Sequence, residues 1–326
     1  MPNNPIDFIL WPIKQAIEAI LVGWHWVFTN LLQLDRDAGL TWVFAIVGLT
    51  VVVRAALIPI FVRQIKSQRR MMEVAPQLKK IQDKYKGKKD QFSREAMSRE
   101  TMALYKKTGT NPLSSCLPLL LQMPIFFGLF SVLQHAQSKG HPAGVGLLNS
   151  DLSESFGTSS LFDIAPLHLA ISTAGGNVAV IVIASIMVVV MTGSQFITQL
   201  QIMSKNQSPE VKASPMYRQQ RVLLYLLPFV FLFSGFTFAI GVMFYWLASN
   251  LWTMGQQFLV IRNMPTPGSE AAFEREARLA RRRQRKGITV VEDAPDKPVI
   301  EEPKSTQRPQ PVNKNRAKKK SGGNRK

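Results

Sequence analysis

NPLSSCLPLLLQMPIFFGLF, residues 111–130, is the stretch whose reading decides the fold. It is apolar enough to sit in a bilayer, yet it carries Pro112, Pro118 and Pro124. Each proline removes a backbone donor and weakens a helix. Lipid offers no hydrogen bonds, so the freed carbonyls need neighbouring protein or water. A span of this kind belongs at the centre of a helix bundle with an irregular, accessible interior. Cys116, the single cysteine, reads as a small residue in a packed span. One cysteine excludes an internal disulfide framework and a paired-cysteine metal site.

The surrounding chain is split in character. Its 326 residues carry a formal charge of +19, with 46% hydrophobic and 19% charged residues. Long uncharged apolar runs alternate with dense basic ones, which predicts an all-α polytopic membrane protein rather than a basic globular domain. Before the proline-rich stretch, residues 41–62 form a first span whose only charge is Arg54. Residues 63–112 follow as a helical segment; within 63–107 there are 14 Lys/Arg against 5 Asp/Glu. Met71, Val74, Leu78, Ile81 and Tyr85 recur at helical spacing. A turn at Gly87 and a second helix over 91–107 complete an antiparallel hairpin. Residues 1–40 read as an amphipathic interfacial helix, because Asp7, Lys14, Glu18 and His25 interrupt its apolar surface and Trp11, Trp24 and Trp26 suit a headgroup region. A spanning helix over 6–34 is the alternative. No cleavable signal peptide is expected, since MPNNPIDF lacks a positive n-region.

After the proline-rich span, placed at 113–136, the chain predicts a loop at 137–177, a third span at 178–200, a short loop at 201–220, and two spans at 221–235 and 238–261. Ser234-Gly235-Phe236-Thr237 is the turn signal between the last two. The shorter of these, roughly 23 Å of helix, implies a locally thinned bilayer. Residues 262–326 form a basic tail with 18 Lys/Arg against 8 Asp/Glu, largely disordered by composition. Basic loops stay in the cytoplasm. The hairpin, the 201–220 loop and the tail are basic, whereas the N-terminal segment and the 137–177 loop are slightly acidic. A five-span helix bundle with the N-terminus outside and the C-terminus inside satisfies every loop.

Arg54 is the sharpest chemical feature. A central arginine in a span costs about 2.5–3.5 kcal/mol on the milder insertion scales. It lies roughly 12 Å from the end of its span, and none of the five spans supplies a carboxylate. Snorkelling to the surface is one resolution; a hydrophilic groove open to the cytoplasm is the other. Thr50, Gln122, Gln195, Gln199, Asn250, Gln256 and Gln257 are the polar residues placed to line it. Met123, Phe126, Phe127, Phe229, Phe231, Phe233, Tyr245 and Trp246 crowd the second, fourth and fifth spans, either as ordinary lipid-facing packing or as a hydrophobic slide for another helix. Met71, Met72, Leu78 and Ile81 are the candidate contact residues of the hairpin. Arg281, Arg282, Arg283, Arg285, Lys318, Lys319 and Lys320 give the tail its charge, which fits either anionic lipid or ribosomal RNA.

Enzymatic chemistry finds little support. His25, His135, His141 and His168 lack metal-ligand spacing, and no nucleophile elbow or phosphate-binding loop occurs. No cofactor is expected.

VVVRAALIPIFVRQIKSQRRMMEVAPQLKKIQDKY, REAMSRETMALYKKTGTNPLSSCLPLLLQMPIFFGLF and FYWLASNLWTMGQQFLVIR together resemble the YidC/Oxa family of membrane protein insertases, over roughly residues 5–262. The absence of a large extracytoplasmic domain resembles Gram-positive, actinobacterial members; an organelle homologue is the alternative. A lipobox found in some Gram-positive relatives is missing. The resemblance implies that Arg54 is the groove arginine. An incoming chain would place its polar outer segment near Arg54 while its apolar segment moves along the second and fourth spans into lipid. Hydrophobic burial, about 25 cal/mol per Å², would drive the transfer without ATP. It also implies nascent membrane proteins as substrates, the Sec translocon and the ribosome as partners, anionic lipids around the tail, a monomer, and a plasma-membrane location. Two other readings remain at this level: an anion or polar-solute transporter using Arg54, and a ribosome-tethering receptor without insertase activity.

Overall fold

The computed structural model describes residues 5–88, 90–110, 117–137, 140, 142–212, 217, 221–222, 224–226, 232–233, 235–286, 290–291 and 299–300. Helix α1, Pro5–Trp26, continues into a π-helical turn, Val27–Leu31. Leu10, Ile17, Glu18, Leu21 and His25 are all buried, and their spacing puts them on one helical stripe. Glu18 and His25, whose charge suggests a helix floating on a surface, are thus on the packed face. That face meets α2 and α4: Ile13 and Ile17 contact Gly128, and Trp24 lies over Gly48.

Helix α2 spans Gly39–Lys84, 46 residues, or about 69 Å. The sequence divides this region at 62/63, but the helix continues unbroken through Pro59 and Pro76. The change there is one of polarity, and Arg, Lys, Gln and Met are as good helix formers as the apolar residues before them. Helix α3, Gln91–Thr108, starts at Asp90, which accepts from Ser93 N at 2.8 Å, and ends at Gly109 in the left-handed region. Tyr85 Oη donates to Glu100 at 2.8 Å and Lys84 pairs with the same carboxylate, so α3 returns beside the end of α2.

Helix α4, Leu117–Ala136, contains Pro124 within its helical run. Short α5, Ser150–Thr158, and a two-stranded ladder, β1 Ser160–Leu161 with β2 Ala165–Pro166, follow. Helices α6, Val178–Lys205, and α7, Pro209–Lys212, come next, and later α8, Ile240–Asn263. Ile240 N and Gly241 N donate to Leu169 O and Leu167 O, just before α6, at 3.0 and 2.9 Å. Thr266 N donates to Asn206 Oδ1, just after α6, at 2.8 Å. Helices α6 and α8 therefore run parallel.

The break before α8 falls at Phe238–Ala239, not at 234–237. Gly235, Phe236 and Thr237 are helical, and Ala239 is the extended N-cap. Gly235 is small because a Cβ there would overlap Val188 on α6; the glycine serves packing rather than a turn.

The apolar core fills one end of the bundle. Trp42, fully buried, donates Nε1–H to Ser155 Oγ at 3.1 Å, stacks on His25 with centroids 4.0 Å apart, and meets the tilted Phe156 ring at 5.1 Å. Burial pushes the His25 imidazole below its ordinary value of 6.5, against a weaker opposing effect of its hydrogen bond to Arg36 O. Glu18 accepts from Val145 N and Gly146 N at 2.9 and 2.6 Å, and from Leu148 N at 3.4 Å. Leu148, Phe156, Leu161, Ala165 and Leu167 complete a plug over the ends of α2, α4 and α8.

Residues Glu274–Lys326 form a separate unit. It contains the greater part of α9, Glu270–Arg285, and a short ladder pairing Val290 with Ile300 and Val291 with Val299.

Candidate functional site

Below the plug, the buried residues change in kind. On α2 the core ends at Leu49, and the next buried positions are Thr50 and Gln64. On α6 it ends at Met191, followed by Ser194 and Thr198; on α8 it ends at Tyr245, followed by Ser249 and Asn250. Three helices thus pass from apolar to polar buried positions along their length, and Arg54 lies one turn beyond Thr50.

Arg54 is half-buried. Among the described residues it has no ion-pair partner. Tyr245 is 4% exposed and accepts from Gln122 Nε2 at 2.9 Å. Gln122 of α4 and Tyr245 of α8 therefore form a polar contact between these two helices. This corrects the assignment of Tyr245 to a lipid-facing slide: its hydroxyl turns inward because a buried phenol needs a polar partner.

The remaining groove candidates divide. Thr50 returns its hydroxyl to Ile46 O at 2.8 Å, so its polarity is consumed by its own helix. Gln256 Oε1 accepts from Trp252 Nε1 at 3.1 Å along α8. Gln195, Gln199 and Gln257 are half-buried. Asn250 Nδ2 has no partner among the described residues, and neither do Ser249 Oγ and Gln64 Nε2. Ser153 Oγ and Gln137 Nε2 at the plugged end are likewise without partners among the described residues, so unpaired donors occur at both ends of the bundle. Ser249 and Gln64 are additions to the candidates read from sequence, whereas Ser194 and Thr198, like Thr50, return their hydroxyls to their own helix at 2.9 and 2.8 Å. The signal for Ser249 was a small polar residue continuing the buried stripe of α8; Gln64 on α2 carried none.

Of the slide candidates, Met123, Phe127 and Phe233 are exposed, whereas Phe126 and Trp246 are half-buried with ring centroids 5.5 Å apart. Leu120, Met123 and Phe127 make an exposed stripe on α4. Phe229 and Phe231 lie outside the described residues. Met71, Leu78 and Ile81 are half-buried around buried Val74; the Met72 side chain is outside the described set. Arg281, Arg282, Arg283 and Arg285 are exposed on α9, and Lys318, Lys319 and Lys320 lie outside the described residues. No cluster of three His, Cys, Asp or Glu able to hold a metal occurs among the described residues.

Among the described residues two helices, Gly39–Ser67 and Val178–Lys205, are long and apolar enough to cross a membrane. A helical membrane protein with a plugged apolar end and a polar interior around an unpaired arginine is the class defined by this architecture. The family model of the 60Kd inner membrane protein matches residues 33–267. A membrane protein insertase YidC of Tropheryma whipplei is 43% identical over 320 residues, 95% of this chain and 96% of that protein. The corresponding proteins of Streptomyces avermitilis and Bifidobacterium longum are 41% and 33% identical. They align over 79% and 92% of this chain, and over 60% and 95% of their own lengths. A crystal structure of an active YidC insertase with its first transmembrane domain resolved aligns with TM-score 0.45 and 22% identity, over 78% of this chain and 47% of that one. The chain belongs to the 60Kd inner membrane protein family, the YidC/Oxa family of the sequence reading, and is an integral cell-membrane protein.

Proposed function

We propose that this protein inserts nascent membrane proteins into the cell membrane, using the polar interior around Arg54 as the entry site for their translocated segments. The observation that carries the reading is the change from apolar plug to polar interior on α2, α6 and α8 together, with Arg54 at the change. A polar segment entering from the polar side meets a fixed positive charge and unpaired donors, and the plug ends its path. Acidic residues in the segment gain most, because no protein carboxylate competes for Arg54 among the described residues. The substrate's apolar segment leaves along exposed surfaces such as Leu120, Met123 and Phe127, and its burial in lipid drives the reaction.

The chain is oriented with the plug outside and the α2–α3 hairpin, the 201–220 loop and the basic tail in the cytoplasm, because basic segments are retained there. Five spans satisfy this arrangement, with α1 packed against the outer half. The hairpin receives the nascent chain, and the tail holds the ribosome through its RNA and neighbouring anionic lipid. The protein acts as a monomer, alone or with the Sec translocon, and uses no cofactor.

The test is insertion into liposomes free of Sec components and ATP. A single-span substrate with a short acidic outer segment is scored by protease protection against empty liposomes. Wild type is expected to exceed the control clearly. Arg54→Ala is expected to lose roughly tenfold, an effect of about 1.4 kcal/mol, while Arg54→Lys loses less. Equal insertion by all three proteins would remove Arg54 from the mechanism.

A further inference from the structure

The plugged end carries a strained apolar tip that the polar interior does not use. Strands β1 and β2 pair Ser160 with Pro166 and Leu161 with Ala165, leaving Phe162, Asp163 and Ile164 at the tip. Ile164 N donates to Leu161 O at 3.2 Å, and both central residues are left-handed, with φ of 53° at Phe162 and 60° at Asp163. Glycine and asparagine suit such a mirror-image turn. A bulky residue there is a backbone outlier. The strain does not serve burial, because Phe162 is 65% exposed and Ile164 is 56% exposed.

The stem, by contrast, is held firmly. Leu161 and Ala165 belong to the core. Asn177, the N-cap of α6, donates Nδ2 to Ile164 O at 3.0 Å. A Cβ on Gly39 would overlap the Ser160 carbonyl, so the first turn of α2 abuts β1. The tip is thereby fixed beside the first turns of α2 and α6, which among the described residues are the two helices long and apolar enough to cross a membrane. Their exposed apolar surface begins there, with Leu40 and Phe44 on α2 and Val178 and Ile181 on α6. The tip continues that surface. Helix α6, at 28 residues, is about 42 Å long against a hydrocarbon core of about 30 Å. Its first turn therefore lies at headgroup level.

We propose that Phe162 and Ile164 are a lipid anchor seated at the boundary between headgroups and acyl chains, fixing the height of the plugged end in its leaflet. Asp163, exposed between them, keeps its carboxylate among the headgroups, so the two apolar side chains enter only the shallow zone of about 5–10 Å used by interfacial elements. The anchor rests on the reading that α2 and α6 span a bilayer; it does not depend on insertase activity.

Photolabelling of the full wild-type chain tests this. The vesicles are phosphatidylcholine and phosphatidylglycerol carrying a diazirine near the carbonyl end of one acyl chain, and adducts are mapped by mass spectrometry. Residues 160–166 are expected to carry several-fold more adducts than α5, and about as many as residues 40–44. Labelling of the hairpin no higher than that of α5 would put the tip in water, where it would be free for a protein partner, and would overturn the anchor. Phe162→Asp is expected to cut hairpin adducts at least threefold while those on residues 40–44 persist. Unchanged hairpin adducts in that variant would exclude Phe162 as the anchor. Absence of adducts from α2 and α6 as well would refute the spanning reading itself, and the anchor with it.

Discussion

The two halves of the bundle solve opposite problems with the same helices. In the plugged half, Trp42 is answered by Ser155, Glu18 by three backbone amides and His25 by Arg36 O, while Ser153 Oγ and Gln137 Nε2 have no partner among the described residues. In the other half, Arg54, Ser249, Asn250 and Gln64 are left open among the described residues. The first pattern makes a barrier. The second makes a place where a foreign polar chain loses less by leaving water than it would in lipid. Seal and vestibule therefore differ in the apolar core that fills the first and the arginine without an ion pair in the second, along shared helices rather than in two separate domains.

Substitutions separate the halves. Trp42→Ala removes a large fully buried side chain and its hydrogen bond, and should cost about 3–5 kcal/mol, read as a lowered thermal midpoint in detergent. Gly235→Leu drives a side chain into Val188 and should cost about 1–3 kcal/mol by the same measurement. A matched pair then tests satisfaction directly. Ser155→Ala strands the Trp42 indole N–H in a dry site and should cost about 1–3 kcal/mol. Tyr245→Phe strands Gln122 Nε2 in the polar half, where water replaces the phenol, and should cost under about 1 kcal/mol. Equal losses would mean that both halves are dry and would break the comparison.

The smallest expected effect is one of pH. The folded His25 imidazole titrates below 6.5 because burial disfavours its charged form. The unfolded chain therefore binds the proton first as pH falls. Stability contributed by the plugged half is complete above pH 6.5 and declines below it, levelling off once the folded imidazole also protonates. Unfolding curves between pH 7.5 and 5 should show this decline, and His25→Gln should flatten it.

Much of this organisation was legible in the residues. Arg54 in a carboxylate-free span marks a charge that has to reach water, by snorkelling or through a polar interior. Gln122 and Asn250 were visible for the same reason. Other residues were misread because sequence gives identity without direction. Tyr245 sits among aromatic neighbours, and only the packing of α8 against α4 turns its hydroxyl inward to Gln122. Gly235 looked like a turn until Val188 was seen beside it. Glu18 looked like a surface charge, since its three partners lie more than 120 residues away.

By itself the sequence determined the alternation of apolar and basic segments, the helical class, the family, and the position of the unpaired arginine. These depend on local composition and on the cost of charge in lipid, which are properties of a segment. Only the tertiary structure decided where the seal ends, which polar groups are answered and which stay open. Hydrogen-bond satisfaction depends on partners brought from distant parts of the chain, and no single segment carries that information.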